Sequence, residues 1–236
     1  MLFRSTGSMI LESNFLGNYV EVNYSSVVFN GTYSSFILTS DYNSGFDDYF
    51  INNFLAIVVD DSSLLVKAGS GSSSEGFSTF TIAEYSHSEG YGTTATGFAS
   101  HAEGIGTQTD GFYSHAEGSD TTSSGNHSHS EGVQTTSIGP NSHAEGAGAI
   151  SFGYASHAEG GYTSSSGYYS HAEGVGVTAS GYGSHSEGGY TTASNYYSTS
   201  SGYQTKSLGV ASFSSGGFTT ASGYYSSASG RYTESI

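Results

Sequence analysis

Residues 86–99 read Ser-His-Ser-Glu-Gly-Tyr-Gly-Thr-Thr-Ala-Thr-Gly-Phe-Ala, and residues 100–113 read Ser-His-Ala-Glu-Gly-Ile-Gly-Thr-Gln-Thr-Asp-Gly-Phe-Tyr. The second block repeats the first at a shift of 14 residues, and the shift persists down the chain. His87, His101, His115, His129, His143, His157, His171 and His185 mark it. Each is followed two residues later by a glutamate: Glu89, Glu103, Glu117, Glu131, Glu145, Glu159, Glu173 and Glu187. A fixed internal period of this kind signals stacked supersecondary units and has to be read before any local propensity.

With the serine as position 1, the consensus turn is S-H-[AS]-E-G-x-x-T-x-[AS]-x-G-x-x. Position 1 is Ser from Ser86 to Ser226, and position 5 is Gly from Gly90 to Gly230. Position 12 is Gly from Gly97 to Gly223, except at Asn195. Asn tolerates a left-handed backbone better than other non-glycine residues, so a left-handed turn is expected there. Positions 1, 3, 8 and 10 are almost always Ser, Thr or Ala, with Val177 a larger exception at position 8. Small residues at alternate positions, each run closed by Gly, predict two short strands per turn, with positions 1, 3, 8 and 10 inward and 2, 4, 9 and 11 outward. A helical reading fails. A coiled coil needs large apolar residues at a and d, and each interior Gly costs a helix about 1 kcal/mol. The expected fold is all-β: a parallel β-roll, or β-solenoid, of 14-residue turns over 72–236.

Ser72-Ser73-Ser74-Glu75-Gly76 fits the same frame, with Phe77, Phe80 and Ile82 larger than their later counterparts. Residues 72–85 are therefore read as a degenerate capping turn. Residues 1–71 hold most of the bulky aliphatics, and strand-like runs lie at Tyr19–Tyr24, Ser26–Phe29 and Phe36–Thr39. Turn signals fall at Asn30-Gly31 and Asn43-Ser44-Gly45. A small β-rich domain for attachment or trimer nucleation is expected over 1–71.

Composition narrows function. The net charge is −16 with only 4 Lys and Arg, which argues against binding to nucleic-acid backbones or an anionic membrane surface. Aromatic residues make up 14% and the glycines are periodic, so a flexible Gly/Ser linker is excluded. There is no Cys, hence no disulfide. No secretory leader is evident, and the longest apolar run, Phe54–Asp60, is too short to span a bilayer, so membrane insertion is not expected. Asn23, Asn30 and Asn126 stand in N-x-[ST] sequons, a weak signal in so Ser/Thr-rich a chain.

In this frame Ser100-His101-Ala102-Glu103-Gly104 and its copies resemble the S-V-A-I-G head repeats of YadA-like trimeric autotransporter adhesins. They are also similar to S-H-A-E-G repeats of phage and other viral tail-fibre proteins. The resemblance covers about 72–236 and implies a left-handed parallel β-roll, three chains about an axis, and an adhesive role. In the adhesins the Val and Ile positions face the trimer centre, and His and Glu occupy them here. These residues hold no autotransporter membrane anchor, which favours the viral-fibre branch.

Stacked turns place the glutamates in a column at about 4.8 Å spacing, which would be repulsive unless each His relieves it as a donor or as imidazolium. The His/Glu columns are read first as a lattice that holds chains in register. An exposed polar face is the second reading. A metal site is the third, set back because eight identical sites look like a lattice and no cofactor is expected. The Glu column is expected to raise the His pKa values, with stability lost as pH rises. Catalysis is not expected, since an acid–base pair should be singular. Tyr168, Tyr169, Tyr196, Tyr197, Tyr224 and Tyr225 recur every 28 residues and either stack along the edge of the roll or contact a glycan or receptor. The expected role is a structural fibre or adhesin subunit at a virion surface or outside the cell. It would be a homotrimer that attaches to a host-surface glycan or receptor. A bacterial surface adhesin is the alternative. An ice- or mineral-binding solenoid is a further one, although Gln108, Ile150, Ser164, Lys206 and Glu234 interrupt its Thr ladder at position 9.

Overall fold

The computed structural model describes residues 71–236 throughout, together with six strands before them: Met9–Glu12, Glu21–Val22, Val27–Asn30, Phe36–Thr39, Phe54–Asp60 and Ser63–Lys67. The described residues are all β, without a helix. From Ser73 on they form a parallel β-solenoid of 14-residue turns. Each turn contributes one five-residue strand that begins at the His position and one two-residue strand at positions 9 and 10.

The chain divides into two compact units, Met1–Thr109 and Asp110–Ile236. In the first, Met9–Glu12 pairs parallel with Val27–Asn30, and Glu21–Val22 pairs parallel with Ile37 and Leu38. Phe36–Thr39, Phe54–Asp60 and Ser63–Lys67 run antiparallel in succession. Ser63–Lys67 then pairs parallel with Phe80–Thr81, so the sheet of short strands continues back beyond the repeats. The sheet of long strands begins instead at Ser73–Phe77, which pairs with His87–Tyr91. Of the upstream expectations, Phe36–Thr39 is a strand, the run expected at Ser26–Phe29 is described as a strand at Val27–Asn30, and Tyr19–Tyr24 is described as a strand only at Glu21–Val22. The turn expected at Asn43–Gly45 and the glycine of Asn30-Gly31 lie outside the described residues.

In the second unit every ladder keeps the same register. His143 pairs with His157, Ala144 with Ala158, Glu145 with Glu159 and Gly146 with Gly160. Like stacks on like because the partner is always 14 residues away. The interior is tiny and polar. Positions 1, 3, 8 and 10 are buried as expected: Ser170, Ala172, Val177 and Ala179 in one turn, Ser184, Ser186, Thr191 and Ala193 in the next. Hydroxyls this deep need partners, and the backbone supplies many of them. Ser128 Oγ donates to the Gly125 carbonyl at 2.6 Å, and Ser170 Oγ donates to that of Gly167 at 2.6 Å. Ser137 Oγ donates to the His129 carbonyl at 2.6 Å. Each such bond is worth about 1 kcal/mol net and fixes the inward rotamer.

The glycines act differently from expectation at position 12. Their backbone is not left-handed, and neither is that of Asn195. A side chain is excluded there by the next turn: a Cβ on Gly153 would sit 2.0 Å from the Gly167 carbonyl oxygen. Position 5 combines both constraints, since Gly160 has φ +108° and a Cβ on it would lie 2.1 Å from the Gly174 oxygen. The left-handed residues are at positions 7 and 14, where Tyr162 (φ 54°), Tyr169 (φ 58°), Tyr190 (φ 56°) and Tyr197 (φ 55°) sit. These residues cost roughly 1–2 kcal/mol each, and they form the corners that turn the chain from one sheet to the other.

Candidate functional site: the His/Glu ladder and the tyrosine edge

The five-residue strands place His at position 2 and Glu at position 4 on the same outer face, because side chains alternate along a strand. In every turn that carries them, the His Nε2 faces its own Glu Oε2. The separation is 3.2 Å at His87–Glu89, 3.5 Å at His101–Glu103 and 3.8 Å at His115–Glu117. It is 3.7 Å at His129–Glu131, 3.6 Å at His143–Glu145 and 3.8 Å at both His157–Glu159 and His171–Glu173. At His185–Glu187 it closes to 3.4 Å. Both side chains of each pair are about one-third to one-half exposed on the single chain.

The imidazoles also stack on one another. Ring centroids lie 4.8 Å apart with near-parallel planes at His129–His143 and at His157–His171. The stack tilts to 76° at its end, between His171 and His185. Packing of ring on ring buries the Nε2 atoms of His129, His143, His157 and His171, which have no hydrogen-bond partner among the described residues.

At two rungs, His143 and His171, the titration runs opposite to the expectation. Burial, followed by the neighbouring imidazoles of His129 and His157, pulls the His143 pKa below its ordinary value of 6.5, against the opposite pull of Glu131. His171 is lowered by burial, then by His157 and His185, against Glu173 and Glu159. The expectation of raised His pKa values counted the Glu column and missed the His column beside it. At His143 and His171, loss of solvation and His–His repulsion outweigh the carboxylates. At the end of the ladder Glu187 is held below the ordinary carboxylate value. The hydrogen bond from Ser201 Oγ, 2.7 Å from Glu187 Oε1, is the main cause, and His185 adds to it.

The second surface is aromatic. Tyr168, Tyr169, Tyr196, Tyr197, Tyr224 and Tyr225 are all exposed, the last pair at 79% and 80%. Tyr168, Tyr169, Tyr196 and Tyr197 pack along the edge: Tyr154 meets Tyr169 edge-on at 5.6 Å, Tyr169 meets Tyr182 at 5.5 Å, and Tyr182 meets Tyr197 at 5.6 Å. Tyr168, Tyr182 and Tyr196 at position 13 line a shallow groove with Ser166, Ser180 and Ser194. Rings at the left-handed corners also cover the glycine of the preceding turn. A Cβ on Gly183 would meet the Tyr197 ring at 3.0 Å, and one on Gly176 would meet Tyr190 at 2.8 Å. The 28-residue recurrence follows, since a ring that spreads over the turn before it needs a small residue there.

Neither the stacking of the imidazoles nor the ring-over-glycine packing is evident in the one-dimensional pattern. Both were encoded in it, the first by the unbroken 14-residue spacing and the second by the alternation Gly148, Tyr162, Gly176, Tyr190 at position 7. No protein-family model matches the chain, and no curated protein matches it.

Proposed function

We propose that this protein is a structural fibre subunit that attaches to a host surface, as a phage-like tail or surface fibre does, and that it works as a homotrimer outside the cell or on a virion. The observation that carries this reading is the exposed tyrosine edge on a rigid repeat. Tyr168, Tyr182 and Tyr196 present apolar faces with polar tips, beside a row of serine hydroxyls. That combination suits the faces and hydroxyls of a sugar. Exposed aromatics in such number are rare on surfaces with no partner. The similarity to adhesin head repeats and tail-fibre repeats supports the same role and the threefold assembly.

Two measurements test it. Solution mass should give three chains, and a clean monomer would remove the trimer from the proposal. Binding to host-type surface glycans on an array should weaken at least tenfold when Tyr168, Tyr182 and Tyr196 are changed together to Ser. Unchanged binding would move the contact away from the tyrosine edge. The bacterial-adhesin alternative shares this surface chemistry and differs in where the fibre is anchored.

A further inference from the structure

We propose that the His/Glu ladder binds divalent transition-metal ions of the zinc class, at sites built from consecutive turns of one chain. This goes beyond the attachment role and does not depend on it. It also departs from the sequence reading, which expected no metal.

Geometry supports the assignment. Two ligand atoms on a tetrahedral zinc, each about 2.0–2.1 Å from it, lie about 3.4 Å apart. The His Nε2 to Glu Oε2 separations of 3.6 Å at His143–Glu145 and 3.7 Å at His129–Glu131 are long for a hydrogen bond and close to that chelating span. A third donor comes from the adjoining turn. The ligand atoms of His87, Glu89 and His101 lie within 4.8 Å of one another, as do those of His129, Glu131 and His143. The same holds for His143, Glu145 and His157, and for Glu159, His171 and Glu173. A small rotation of one ring closes the set, and the half-exposed face leaves room for water as a fourth ligand.

The remaining chemistry agrees. The buried Nε2 atoms of His129, His143, His157 and His171 make no hydrogen bond among the described residues, although they point at a carboxylate. A metal between the two would satisfy both. Imidazole with one or two carboxylates and no thiolate favours Zn, Cu or Ni over Mg or Ca. Because His143 belongs to two of these four groups, only three of them can be filled at once: the His87 group, one of the two His143 groups, and the His171 group.

The test is equilibrium dialysis of the full chain against zinc chloride in micromolar free zinc, with excess Mg2+ present. About three ions per chain are expected, the number of groups that do not overlap. His143→Thr should remove one ion, and His143→Thr with His171→Thr should remove two. Threonine already occupies this ladder position at Thr199, so these variants keep the repeat. His127→Asn, away from the ladder and matched by Asn141 one turn on, should bind as the parent does. Replacement of zinc by Co2+ should give the intense visible bands of a four-coordinate site. Absence of zinc uptake, uptake unchanged by the threonine variants, or only the weak absorption of hydrated Co2+ would overturn the proposal.

Discussion

Turns 129–187 and turns 199–229 have the same fold and different outer faces. In the first region positions 2 and 4 are His and Glu. In the second they are Thr199 and Ser201, Phe213 and Ser215, then Ser227 and Ser229. The strands are nonetheless the same length and in the same register: His171 pairs with His185 as Thr199 pairs with Phe213. The solenoid is therefore indifferent to its outward residues. It is set by the inward Ser, Thr and Ala and by two columns of glycine, which run through both regions and are broken once, at Asn195. The His/Glu ladder is an addition that the fold permits and does not need, which is why it is the place to look for function.

The largest expected effect tests what the regions share. Gly160→Ala and Gly216→Ala place a methyl 2.1 Å and 2.0 Å from the next carbonyl oxygen, at φ +108° and +107°. Each should cost about 3 kcal/mol or more by denaturant unfolding, from strain and overpacking together. The cost should be alike in the His/Glu turns and the Ser turns. Gly161→Ala is the control: its nearest neighbour is Val175 Cγ2 at 3.9 Å, and its effect should stay within about 0.5 kcal/mol. A mild Gly216 variant beside a severe Gly160 variant would break the claim that one backbone rule governs both regions.

The next effect separates them. Since His143 and His171 titrate below 6.5 in the folded chain, the unfolded chain binds protons that the folded one refuses. Their contribution is intact above the unfolded pKa and is lost as pH falls from 6.5 through the folded values. Glu187, also lowered, adds a second loss below 4.5. Melting temperature should therefore drop on acidification. The His143→Thr and His171→Thr double variant should flatten the upper part of that drop. Amide exchange should place the acid-sensitive opening in turns 129–187, with turns 199–229 spared. A melting temperature that rises as pH falls from 7 to 5.5 would restore the raised-pKa view.

A smaller effect concerns the corners. Tyr197→Ala removes a ring that covers Gly183 and touches Tyr182, and should cost about 1 kcal/mol. Tyr224→Ala, at a residue 79% exposed, should be close to neutral in a thermal melt. The smallest effect is expected from Ser201→Ala. It removes the Ser201–Glu187 bond where the two outer faces meet, and should shift only the lowest-pH part of the melting profile.

Much of this was legible in the chain. The 14-residue spacing of His87 to His185 predicts parallel in-register turns, and small residues at positions 1, 3, 8 and 10 predict the inward face. Both hold because sequence periodicity becomes stacking directly once the strands are parallel. Position 12 was misread for a physical reason: a glycine forced by positive φ and one forced by a neighbour's carbonyl look the same in sequence. Only the stacked backbone distinguishes Gly153, crowded at 2.0 Å, from a turn residue. The left-handed corners hold Tyr, Gln and Asp as well as Gly, so no residue type announces them.

The repeat, its two strands per turn and its tiny interior thus follow from residue spacing and side-chain size alone. What the His and Glu residues do to one another was decided only by the tertiary structure. Sequence places His and Glu two residues apart, but the stacking that packs each imidazole against the next exists only between turns. It is this contact that removes water from His143 and His171 and sets like charge beside like. The sign of their titration and the spacing of their ligand atoms are therefore properties of the stack.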